Sequence, residues 1–238
     1  MPIVAAAVCP HPPIIVPELA SGAAHELDDL RIACATAVDS LRAADVLLIV
    51  GSGPSARYGA DAAGSFGPYG APQVRVDLGG APVAAALPLS LLVGAWLTSA
   101  VALPREAIAV PADASPAECR ALGEELAADE RRLGLLVMGD GSARRSEHSP
   151  VHLHPRAELF DNTTATALAT ADRDVLAALD PELAGVLQAA GRAPWQVLAA
   201  ATAGRRWQGR LLYDAAPYGV GYFVATWAQR DDVAASSG

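Results

Sequence analysis

The chain has 238 residues, is 52% hydrophobic and only 18% charged, and carries a formal net charge of −9. Such a chain can bury a sizeable core and is not a disordered polypeptide; one domain over residues 1–230 is the favoured organisation. The acidic balance argues against a broad nucleic-acid footprint, so the arginine pairs Arg131-Arg132, Arg144-Arg145 and Arg205-Arg206 read as solvated rims.

In chain order, the first element is the apolar run IVAAAVC over residues 3 to 9, read as a strand buried on both faces. It runs into CPHPPIIVPE. Pro10, Pro12, Pro13 and Pro17 make a stiff, non-helical exit that aims His11 in a set direction. Such an exit suits a metal ligand or a catalytic base, and equally a plain strand-to-loop corner. Leu27, Leu30, Cys34, Val38 and Leu41 then follow at helical spacing, with charges on the other face. His25, beside Glu26, Asp28 and Asp29, belongs to that solvated face.

DVLLIVGS, residues 45 to 52, is a second buried strand, ending at Gly51-Ser52-Gly53. The apolar run from 83 to 103 is interrupted by Pro88 and Gly94 and reads as a buried helix, not a membrane span. EAIAVPA, 106 to 112, is a further strand candidate. SPAECRALGEELAADERR, 115 to 132, opens with Ser115, Pro116 and Glu118, a good helix start. LGLLVMGD, 133 to 140, is the third buried strand. An alanine-rich helical region follows from 157 to 202, broken at Asp180-Pro181 and Gly191. RRWQGRLLYD and GYFVATW flank the turn AAPYG as a hairpin or neighbouring strands, and residues 231–238 read as a frayed tail.

Alternating helices and buried strands predict an α/β fold: one three-layer domain, a mostly parallel or mixed central sheet, helices on both faces. Ligands of such sheets sit beyond the carboxyl ends of the strands, here His11, Gly51-Ser52-Gly53 and Asp140-Gly141-Ser142. Cys9, Cys34 and Cys119 are odd in number and far apart, which fits a reducing cytoplasm better than a disulfide framework or zinc knuckle. No basic leader and no membrane span is expected.

Four stretches together resemble one family, the catalytic subunit of class III extradiol ring-cleavage dioxygenases (LigB-like), with its relative Memo. They are HPPIIVPE; DVLLIVGSGPSARYG with GSFGPYGAPQVRVDL; LLVMGDGSARRS with the downstream AELFD; and LLYDAAPYGVGYFVA. The resemblance implies a non-haem Fe(II) site of two histidines and one carboxylate, with a separate acid/base histidine. Its first histidine maps onto His11 and its carboxylate onto Asp214, where the family more often has glutamate. The second metal histidine is absent from Gly51-Ser52-Gly53-Pro54, and the acid/base position is Ala143 in Gly139-Asp140-Gly141-Ser142-Ala143.

Losing a general acid/base typically costs a factor of ~10² to 10⁴, so standard ring cleavage is not expected. The resemblance therefore implies a ligand pocket of His11, Ser52, Asp140, Ser142, Arg144 and Tyr218, with Asp140 and Ser142 the only catalytic candidates. An inward-pointing Arg57, Arg144 or Arg145 favours a carboxylate or phosphate. Three functions stay open: a small, anionic ligand or a partner bound in the old cleft; a rebuilt metal centre using His11, Asp214 and the histidines of EHSPVHLHP (His148, His152 and His154); and a scaffold of Memo type. Self-association into a homo-oligomer is compatible with each.

Overall fold

The computed structural model describes residues 3–81 and 86–230. The expected tail at 231–238 and the first part of the apolar run from 83 lie outside the described residues. A central sheet of seven strands is built from β1 (Ile3–Cys9), β2 (Val46–Ser52), β3 (Ala56–Tyr58), β6 (Arg105–Val110), β7 (Leu133–Met138), β8 (Trp207–Ala215) and β9 (Tyr222–Gln229). Its order is β3-β6-β2-β7-β1-β9-β8. The middle four, β6, β2, β7 and β1, are parallel; β3, β9 and β8 each run antiparallel to the neighbour that pairs them to the sheet. A separate two-stranded ribbon joins β4 (Ala63–Phe66) to β5 (Ala71–Asp77).

The apolar runs became the parallel core because each buries both faces. Along β2, Val46, Leu48 and Val50 enter one core, while Leu47 and Ile49 enter the other. The first core packs under α4 (Pro116–Ala127), α5 (Ala157–Thr170), α6 (Arg173–Ala177), α7 (Pro181–Leu187) and α8 (Arg192–Ala201). The second packs under α2 (Asp28–Asp39), α3 (Leu89–Leu97) and the β4–β5 ribbon, with the one-turn α1 (Pro17–Ala20) at its margin. This is a three-layer α/β domain with a mixed sheet, as composition and periodicity predict.

Boundaries follow local chemistry. Ser115 accepts from the Glu118 backbone N–H while the Glu118 carboxylate accepts from the Ser115 backbone, a capping box that starts α4. That helix stops at Ala127, earlier than the expected 132, and β7 ends at Met138, before Gly139. His25 lies not in the amphipathic helix but in a 3₁₀ turn (Ser21–Leu27) ahead of α2. The ribbon β4–β5 and the edge strand β3 had no sequence expectation. β4 is only four residues, three of them small and the fourth Phe66, and neither ribbon strand is a continuous apolar run.

Candidate functional site

The exit from β1 explains how His11 is placed. The Gly139 N–H donates to the Cys9 carbonyl (2.9 Å), which carries the β1–β7 ladder one step past both strands. Pro10 has no N–H to continue it. The next donor is the His11 N–H, and the Asp140 carboxylate accepts it at 2.7 Å. The His11 imidazole is turned back beside that carboxylate, with Nδ1 3.6 Å from Oδ1, too long for a hydrogen bond. Nδ1 is buried and has no hydrogen-bond partner among the described residues. His11 is 6% exposed.

Burial pushes the Asp140 carboxyl above the ordinary aspartate range, while His11 pulls it back through charge and through its N–H. Around the pair lie groups held in their neutral forms. Burial raises Tyr222, with the Asp140 charge adding to it. Burial also raises Cys34, and a hydrogen bond with Cys9 adds to that effect. Tyr218 closes the turn before β9 by donating its hydroxyl to Glu26 Oε2 at 2.8 Å, and that bond raises the phenol.

The exit from β2 is packed, not open. The Ser90 hydroxyl on α3 donates to the Ser52 carbonyl at 2.6 Å, and a Cβ on Gly51 would stand 2.5 Å from that hydroxyl. Glycine is required there by the approach of α3, so Ser52 serves the helix contact. Arg57 pairs with Glu125 at 2.6 Å on the exposed side of β3.

The exit from β7 is organised by a residue to which the sequence reading assigned no role. Asp161, on α5, is wholly buried. Its Oδ1 accepts from the Ser142 N–H (2.8 Å) and its Oδ2 from the Arg145 guanidinium (3.0 Å). Gly141 and Gly221 must be glycine beside it, because a Cβ on either would meet the carboxylate. Burial pushes the Asp161 carboxyl up to about 6; Ser142 and Arg145 oppose that rise and the Asp214 charge adds to it. Asp161 ends the AELFD stretch and interrupts the buried stripe Ala157, Phe160, Thr164, Ala165, Leu168 of α5. A carboxylate on an apolar helical face is the signal that could have singled it out.

Ser142 is buried, donates its hydroxyl to the Leu187 carbonyl (3.3 Å) and accepts from the Arg144 N–H (3.1 Å). Its hydroxyl therefore shapes the loop. Arg145 is committed to Asp161, whereas the Arg144 Nε is buried with no partner among the described residues.

Asp214 is exposed on β8, on the face opposite Tyr213; its charge adds to the rise of Asp161, while partial burial raises Asp214 itself and Arg145 opposes that rise. The carboxylate against His11 is Asp140, not Asp214. His148 and His152 are exposed, and the His154 Nδ1 accepts from the Arg156 N–H (3.2 Å) ahead of α5. Among the described residues no group of three His, Cys, Asp or Glu side chains is arranged to hold a metal. One histidine beside one carboxylate does not fit an Fe(II) facial triad, whose third ligand fixes both geometry and selectivity.

No family model matches the chain, and no curated protein matches it. Among solved structures, the crystal structure of an uncharacterised protein from Escherichia coli K12 is similar with a TM-score of 0.60 and 12% identity. The match covers 94% of this chain and 99% of that one. At that identity the likeness is one of fold, and it extends over nearly the whole of both chains.

Proposed function

We propose that this chain is a LigB-like protein without the standard Fe(II) ring-cleavage centre that binds a small anionic ligand at the carboxyl ends of β1 and β7. The observation that carries this reading is the buried His11 imidazole, whose Nδ1 has no partner among the described residues beside the largely buried Asp140 carboxylate. An unpaired buried polar atom costs roughly 1–3 kcal/mol, which a ligand donor or acceptor would recover. The Arg144 Nε, three residues past Gly141 on the same loop and also without a partner among the described residues, supplies a cationic donor for a carboxylate or phosphate.

The histidine pattern supports ligand binding over ring cleavage. Ala143 stands at the acid/base position of the family motif, and the exit of β2 is filled by α3 where the second metal histidine would stand. The role left to His11 and Asp140 is to hold and orient a polar group in a dry setting. The imidazole ring nitrogens offer hydrogen-bonding positions to a bound group, and a carboxylate of raised pKa readily shares a proton with a bound hydroxyl.

The test is a thermal-shift screen of small carboxylates, phosphates and phenols, followed by titration of hits against His11→Ala and Arg144→Ala. Both substitutions are expected to weaken binding about tenfold or more. Unchanged binding in both places the site elsewhere. Protein purified without chelators or a tag that retains about one equivalent of iron, zinc or manganese, lost in His11→Ala, would establish a rebuilt metal centre instead. A protein partner captured equally by wild type and both variants would favour the scaffold role.

A further inference from the structure

At the other end of the sheet, beyond the amino ends of the parallel strands, lies a cavity of about 510 Å³ lined by Arg173, Gly204, Arg205, Arg206, Gln229 and Arg230. It is roughly 20 Å from His11, the length of the seven-residue β1. Its arginines come from three separate segments. Arg173 is the first residue of α6, Arg205 and Arg206 lie between α8 and β8, and Arg230 follows β9.

The local structure builds this convergence. The Arg230 N–H donates to the Arg206 carbonyl (3.0 Å), which fixes the end of the β8–β9 pair. Gly204 turns the chain out of α8 at φ +74°, a conformation that favours glycine. The Thr202 carbonyl accepts from the Arg173 guanidinium (3.0 Å) and from the Trp207 indole (2.9 Å), so the loop is clamped against the start of α6. That contact uses one of the five donors of Arg173.

Among the described residues no carboxylate compensates the charges there. Eight other arginines (31, 42, 57, 105, 120, 131, 132 and 145) pair with carboxylates. None of Arg173, Arg205, Arg206 and Arg230 has a carboxylate partner among the described residues, and the cavity lining contains no acidic side chain. Asp231 and Asp232 follow in sequence, outside the described residues. In a chain of net charge −9 this is a local reversal of sign. Four guanidinium forks offer more bidentate positions than one carboxylate can fill, whereas a diphosphate has oxygens for several. The volume falls in the range of small-molecule sites, and the surrounding negative charge disfavours a long polyanion.

We propose that this cavity binds a small molecule bearing a diphosphate or polyphosphate group. Arg173 also borders an adjoining cavity of about 520 Å³, lined in part by Ala177, Ala199, Ala200 and Ala203 with Glu124 and Asp174 also in its walls, which takes the body of the ligand while the two carboxylates keep the phosphates on the arginine side. Isothermal titration of the full chain with inorganic pyrophosphate at physiological salt is the test. Saturable binding near one per chain is expected, weakened at least about tenfold in Arg206→Gln/Arg230→Gln. Both side chains are exposed, so the double variant is expected to keep the wild-type circular dichroism spectrum and melting temperature. Arg57→Gln, on the outer side of β3, is expected to bind as wild type does. Absence of saturable binding up to about 5 mM pyrophosphate, or equal affinity in the double variant, overturns the proposal. A single-stranded oligonucleotide that binds but is not displaced by pyrophosphate also overturns it, in favour of a nucleic-acid surface.

Discussion

Asp161 makes the fold's pH dependence calculable. Its carboxylate is wholly buried with one cation, Arg145, and two hydrogen bonds, and Asp214 opposes it from β8. Burial wins, holding the group at about 6 in the folded chain. In the unfolded chain it titrates near ~3.9. A carboxyl whose folded value lies above its unfolded value binds more protons when folded, so its stabilisation is full below about pH 4 and is lost as pH rises through about 6. The difference is worth about 3 kcal/mol, of which about 2 to 3 should appear between pH 7 and pH 4. Asp161→Asn replaces the titrating group with a neutral one that can still accept from the Ser142 N–H. Urea unfolding of both proteins across pH 4 to 8 is the assay. Wild type should gain on the variant as pH falls, with most of the change between pH 4 and 6. A difference that stays flat, or that grows with rising pH, would show that Arg145 dominates and that the burial argument is wrong.

Other substitutions separate contacts that share a residue. Asp140→Ala leaves the buried His11 N–H without its acceptor and should cost roughly 1–3 kcal/mol in urea unfolding. His11→Ala keeps that N–H and should cost clearly less; the reverse order would mean that packing of the imidazole is the larger effect. Ser115→Ala removes the capping box of α4 and should destabilise by ~1 kcal/mol, measured in the same way. Gly123→Ala is the sharpest packing test. Alanine in mid-helix normally stabilises by about 1 kcal/mol, yet here its Cβ would stand 2.5 Å from the Ala200 Cβ and 2.6 Å from the Val197 carbonyl oxygen. The expected result is a net loss of ~1–3 kcal/mol from forcing α4 off α8, and a gain would refute that close approach.

How far sequence reasoning reached follows from the range of each interaction. The parallel strands were legible because burial on both faces leaves uninterrupted apolar runs such as residues 46–50. The start of α4 was legible because a capping box is complete within four residues. The ribbon β4–β5 was not, since its pairing of Ala63 with Asp77 depends on a partner fourteen residues away and on cover from α3. The same contrast divides the site. The prolines around His11 announce a fixed corner, but the acceptor that holds it, Asp140, is 129 residues distant in sequence. Ser142 and Asp214 looked like site residues because they stand in motif-like stretches. In three dimensions both belong to the surroundings of Asp161, the former through its N–H and the latter through its charge. Asp161 escaped because its meaning lies in what closes over it, the Gly141 and Gly221 loops, and neither loop carries a local mark of a carboxylate beneath. Local pattern therefore reports the scaffold and the stiffness of its corners. The chemistry at those corners depends on which distant polar group is brought, dry, against them.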